Sequence, residues 1–97
     1  MKKEQLQFLR EKLDKINLEI LKLLNIRGRI VQKIGQVKME IGYTLIDAKR
    51  EKEILQNLFL HNQGPFSNQQ ITAIFQEIFR QSIELQKEIF NIKRMKD

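Results

Sequence analysis

Residues 5–41 read QLQFLREKLDKINLEILKLLNIRGRIVQKIGQVKMEI, and the spacing of their apolar residues decides the fold. Leu6, Leu9, Leu13, Ile16, Ile20 and Leu23 recur in alternating steps of three and four, and the series resumes at Ile30, Ile34, Val37 and Ile41. That is the heptad seam of one long helix. Gly28 and Gly35 lie inside it; each costs up to about 1 kcal/mol against alanine, so packing must hold the helix there. Such a helix is about 55 Å long. A compact domain of this size has a radius of gyration of about 13 Å. The helix therefore overhangs any globule its own chain can build, and its seam would be wet along much of its length. Two copies side by side would cover it, which predicts an intertwined homodimer.

Outward from this stretch, two breaks divide the rest of the chain. The stronger is Gly64-Pro65, after Asn62 and Gln63; the softer is Gly42-Tyr43-Thr44. Between them a second helix is expected from about Asp47 to Leu60. A third starts at Ser67, where Ser67-Asn68-Gln69-Gln70 has the form of a capping box. Its stripe is Ile71, Phe75, Ile78, Ser82, Leu85, Ile89 and Ile92. The fold class is thus all-α, with three helices and a long first one, and residues 1–97 are expected to form a single helical domain.

Composition narrows the chemistry. Cysteine is absent, which excludes disulfides and thiol nucleophiles; with the lone His61 it also argues against a structural zinc site. The start, Met1-Lys2-Lys3-Glu4-Gln5, leads into no secretory apolar run. No stretch reaches the roughly 18 apolar residues of a membrane span. The cytoplasm is the expected location, with no membrane partner. The net charge of +6 fits either a basic surface for nucleic acid or cationic side chains aimed at a small anion.

Polar residues on the apolar seams separate those readings. Position 27 completes the step between Leu23 and Ile30, and it is Arg27. A buried guanidinium needs an anion, from the protein or from a ligand. Lys38, eleven residues on, lies on nearly the same face about 16 Å along the axis. Two long cationic side chains that far apart can converge on one ligand, although a snorkelling surface lysine fits as well. Arg10 is about 25 Å from Arg27 and could serve the same small ligand only from a partner chain whose first helix runs antiparallel; an ordinary solvated arginine is the plainer alternative. Asp47, Arg50 and Glu51 share a face that continues as Ile54 and Leu58, so two acids and an arginine are expected to turn inward; an N-terminal acid with a surface pair is the plainer alternative. Ser82 interrupts the third stripe, and Gln86 follows one turn on; the two can face the same space, or backbone can satisfy either. This inventory of anion binders suits chemistry by electrostatics and confinement.

In order and spacing these residues resemble the all-helical class of chorismate mutase over nearly the whole chain. Leu9-Arg10-Glu11-Lys12 is similar to its opening motif, Arg27 with Gly35-Gln36-Val37-Lys38 to its central one, Asp47-Ala48-Lys49-Arg50-Glu51 to that of its second helix, and Ser82 with Gln86 to the third-helix pair. The resemblance implies the Claisen rearrangement of chorismate to prephenate, the shikimate-pathway entry to phenylalanine and tyrosine, with no cofactor. It implies that Arg10 of the partner and Arg27 hold the substrate carboxylates, with help from Ser82. Lys38 and Gln86 would donate to the ether oxygen. Glu51 and the backbone near Asp47 would bind the ring hydroxyl, and Arg50 would orient the acids. Asn62-Gln63-Gly64-Pro65-Phe66 and the run from Ile78 to Gln86 resemble the mutase domain that some bacteria fuse in front of the first shikimate-pathway synthase. Association or fusion with such a synthase is thereby implied, and the sequence leaves open a free-standing enzyme or a domain of a longer protein.

Two other readings stand beside it. An isochorismate-pyruvate lyase of the same fold resembles the mutases in its carboxylate clamp and lysine; the full Asp47, Arg50, Glu51 set and Gln86 favour the mutase. A helical interaction, regulatory or nucleic-acid module would place its basic residues on solvated faces and bind with steep salt dependence; Arg27 on the apolar seam speaks against it.

Overall fold

A computed structural model describes the backbone of residues 1–96 and the side chains of residues 1–92. The final residue of the 1–97 span expected as one domain, Asp97, lies outside the described residues. Three helices follow one another, α1 (Lys2–Ile41), α2 (Ala48–His61) and α3 (Asn68–Lys96), with no strand among the described residues. The chain divides into two units, Met1–Ile30 and the residues from Val31 onward.

The first unit is helix alone. Every residue from Met1 to Ile26 is exposed. The seam residues Leu6, Leu9, Leu13, Ile16, Ile20 and Leu23 range from 48% to 62% exposed. An isolated helix gains little from propensity and depends on packing of its apolar face. The chain's own residues do not supply that packing here.

In the second unit the ends of the helices are set by local chemistry. Gly42 adopts φ 74° and closes α1 with a paired motif: its N–H donates to Met39 O at 3.4 Å, and the Tyr43 N–H donates to Lys38 O at 2.8 Å. A left-handed residue past the last turn satisfies the orphan carbonyls in this way, and glycine adopts that conformation without a Cβ penalty. Asp47 is the N-cap of α2, its carboxylate accepting the Arg50 N–H at 3.0 Å. The box at α3 is reciprocal. Gln70 N–H donates to Ser67 Oγ at 3.1 Å, and Ser67 N–H donates to Gln70 Oε1 at 2.9 Å. Asn62 ties the turn between α2 and α3, its amide nitrogen donating to Phe66 O and Asn68 Oδ1, and its oxygen accepting from Gly64 N–H.

Packing in this unit runs along strips slightly offset from those expected. On α1 the buried residues are Val31 and Gly35, whereas Ile30, Ile34, Val37 and Ile41 are 45% to 56% exposed. On α3 the deepest residues are Phe79 and Gln86, each one position on from the expected Ile78 and Leu85, which are part-buried; the last stripe residue, Ile92, is exposed. The α3 burial centres on Phe79, whose ring meets Phe75 edge to face with centroids 6.1 Å apart. The long apolar seam of α1 is therefore a second face, distinct from the strip of Val31 and Gly35.

Candidate active site

Six of the eight candidate side chains lie in the second unit, and three of them, Lys38, Ser82 and Gln86, donate to backbone carbonyls. Lys38 is part-buried, and its Nζ donates to Leu45 O at 3.0 Å. The Gly42 turn carries the chain back so that this carbonyl faces the lysine. Two of the three ammonium donors are left for other acceptors. Ser82 is part-buried and donates to Ile78 O at 2.7 Å, the bond back along the helix that a serine makes inside one. Gln86 is buried at 6% exposure. Its Nε2 donates to Ser82 O at a long 3.3 Å, and its Oε1 has no hydrogen-bond partner. An orphaned amide oxygen at that depth costs about 1–3 kcal/mol. Gly35 of α1 is packed directly against this side chain.

The α2 residues differ from the inward-facing cluster expected from their spacing. Glu51 is part-buried, on the face of Ile54 and Leu58, but Asp47 and Arg50 are exposed. The Asp47 carboxylate is taken up by capping, because a short acid at the start of a helix reaches its orphan N–H groups first. The Arg50 guanidinium lies 3.6 Å from Glu53, one turn along the surface, rather than beside Glu51. Both residues thus hold the first turn of α2, from which Glu51 projects.

Two candidates lie in the first unit. Arg10 is exposed. Arg27 is part-buried, and desolvation pulls its guanidinium below the ordinary value. An arginine remains cationic through such a shift, so Arg27 is a charge partly stripped of water, a better anion holder than a fully solvated one.

Sequence reasoning passed over Leu45, whose carbonyl holds Lys38, because a backbone acceptor leaves no mark on residue type. It noticed Gly35 as a weak point in the helix and as part of the motif ending at Lys38, not as a place of close approach. A glycine three residues before a candidate lysine, on the same side of a helix, was the available signal for a close approach.

Three helices and no strand among the described residues, with a buried amide and a carbonyl-held lysine on different helices of one unit, make an all-helical domain of a restricted kind. Residues 9–87 match the family described as chorismate mutase type II, and the chain belongs to that family of isomerases. A chorismate mutase from Thermus thermophilus (form II) has a similar structure, with a TM-score of 0.84 and 44% identity over 86% of this chain and 94% of that one. Among curated proteins, the bifunctional chorismate mutase/prephenate dehydratase of Aquifex aeolicus is 32% identical over 90 residues, 89% of this chain and 25% of that protein. The bifunctional enzyme of the same description from Buchnera aphidicola is 37% identical over 81 residues, 82% of this chain and 21% of that protein. The chain spans about a quarter or less of the length of these two relatives. No helix among the described residues is long and apolar enough to cross a membrane.

Proposed function

We propose that residues 1–97 act as one mutase domain that converts chorismate to prephenate, and that they do so as a homodimer in the cytoplasm. The observation that carries the catalytic reading is Gln86. It is a buried amide with spare hydrogen-bonding capacity on the third helix of a chain whose family is chorismate mutase. Its Nε2 makes a single long bond, which leaves one of its two N–H donors for a ligand acceptor. Gln86 Nε2, through the N–H not committed to Ser82 O, and Lys38 Nζ donate to the ether oxygen of the substrate. Negative charge grows there as the C–O bond breaks. Donors already held in place stabilise that charge without reorganising.

The other candidates bind and fold the substrate. Arg27 and the partner's Arg10 hold the two carboxylates as planar forks, with the Ser82 hydroxyl assisting. Drawing the enolpyruvyl arm over the ring removes conformational freedom before the reaction and lowers the entropic part of the barrier. Glu51 accepts from the ring hydroxyl beside the backbone near Asp47. Arg50 and Asp47 act by fixing the first turn of α2. The reaction is an internal rearrangement that needs no cofactor and no covalent enzyme intermediate.

The exposed seam of α1 supports the dimer. Covering a half-exposed leucine or isoleucine contributes about 1 kcal/mol, and Leu6 to Leu23 present six of them in register. Whether the domain acts alone or within a longer protein is a second part of the proposal: the bifunctional relatives support a fused setting, and association with a shikimate-pathway synthase is the form the turn motif favours. The test is direct. Pure protein mixed with chorismate should remove the diene absorbance of the substrate and yield prephenate. Release of pyruvate instead would identify a lyase, and no reaction would overturn the enzymatic reading.

A further inference from the structure

Gly35 is buried within α1. A Cβ built on it would lie 3.1 Å from Cγ of Gln86, 3.4 Å from its Cβ and 3.5 Å from its Cα. Carbon atoms in good contact are about 3.5–4.0 Å apart. The aliphatic stem of Gln86 is thus seated against the bare backbone of α1, in space that any other residue at position 35 would take. The amide beyond that stem is held by little else. Nε2 has one bond of 3.3 Å, and Oε1 has none. Reversing the amide would set Oε1 against the Ser82 carbonyl, so the orientation is determined even though the hydrogen bonding is thin. Packing, more than polar contacts, decides where the donor sits.

We infer that Gly35 is a positioning residue for Gln86: its missing side chain sets the depth at which the Gln86 amide is presented to the substrate. The inference rests on the mutase reading and deepens it. A methyl group at position 35 displaces the Gln86 stem by a few tenths of an ångström. A donor aimed at developing charge is sensitive to displacement on that scale, whereas binding by the carboxylate clamp is not. A purely structural glycine behaves differently. Alanine is the better helix former, and a change in packing alone would act on thermal stability and leave kcat of the folded protein unaltered.

The test is a double-mutant cycle on the full chain: wild type, Gly35→Ala, Gln86→Ala and the double variant, with steady-state kinetics on chorismate and thermal melting by circular dichroism. In the Gly35→Ala protein kcat should fall about fivefold to tenfold, scaled from the roughly hundredfold that a 1 Å misplacement costs. KM should change by less than about twofold, and the helical signal should be unaltered. In the Gln86→Ala background, adding Gly35→Ala should change kcat by less than about twofold, since coupled residues stop responding once the partner is removed. An unchanged kcat in Gly35→Ala overturns the inference, as does an equal loss in both backgrounds. A Gly35→Ala chain that no longer folds, alone or with Gln86→Ala, assigns the glycine a packing role and overturns it too. A wild type inert toward chorismate sinks the mutase reading and this inference with it; an active wild type indifferent to residue 35 sinks this inference alone.

Discussion

Substituting Arg10 and Arg27 in separate chains and then mixing the chains tests how the site is divided between protomers. Both residues lie on α1, which is unbroken from Lys2 to Ile41. The step of seventeen residues from one to the other therefore corresponds to about 25 Å along the axis, several times the span of a small dicarboxylate. One substrate can be held by both only if Arg10 comes from the other chain. Arg10→Ala alone, or Arg27→Ala alone, removes a forked pair of charge-assisted bonds from every pocket. At about 3 kcal/mol or more, such a loss lowers kcat/KM on the order of a hundredfold, so each homodimer should be nearly inactive. In a mixed dimer one pocket carries both substitutions and the other carries neither. Random, equal mixing makes about half the dimers mixed, each with one intact pocket, so about a quarter of wild-type activity should return as subunits exchange. The assay is chorismate disappearance after co-incubation, with exchange verified by mass-tagged chains. Arg27→Ala mixed with Lys38→Ala should show no recovery, because one chain supplies both residues to a pocket. A first mixture that stays inactive despite exchange, or a second that recovers, refutes the cross-chain role of Arg10.

Other outcomes follow from the same geometry. Lys38→Ala should lower turnover by about a hundredfold or more while weakening a dicarboxylate transition-state mimic far less; near-normal turnover would mean that another group meets the ether oxygen. Sedimentation equilibrium of the wild type should give about twice the 11.7 kDa chain mass. Leu13→Asp, which places a charge on the seam, should yield an inactive monomer, and a fully active monomer at high dilution would remove the dimer from the mechanism. Ser67→Ala removes the hydroxyl that accepts the Gln70 N–H in the α3 capping box, where only backbone and surface groups take part. It should cost about 1 kcal/mol and lower the melting temperature by about 4 °C, with turnover at ambient temperature unchanged.

Much of this molecule is legible in its sequence because the relevant physics is local. A cap or a turn is decided by residues within a few positions of one another. Gly42, Asp47 and the Ser67–Gln70 box mark helix ends in the sequence and close those ends in the structure. The three-and-four spacing of Leu6 to Ile41 likewise specifies a long amphipathic helix, and its length alone puts the seam beyond what the chain can cover.

Tertiary structure decided which face meets which neighbour. Apolar residues occupy more than one strip of α1, and periodicity alone does not say which strip the chain's own helices cover. The strip of Val31 and Gly35 lies inside, whereas Ile30, Ile34, Val37 and Ile41 are left outside. The reason is close approach: Gly35 lets the backbone of α1 meet Gln86 of α3, and no bulkier face of the helix can come as near. The same approach draws burial on α3 to Phe79 and Gln86, one position beyond the apolar pattern. On α2 the outcome turned on competition between local and distant partners. Asp47 and Arg50 share a face with Glu51 by spacing, yet a capping bond and a surface ion pair with Glu53 hold the first two at the surface. Sequence could place Gln86 one turn from Ser82; only the packed helices bury it with an amide oxygen unpaired, because that depends on what stands opposite.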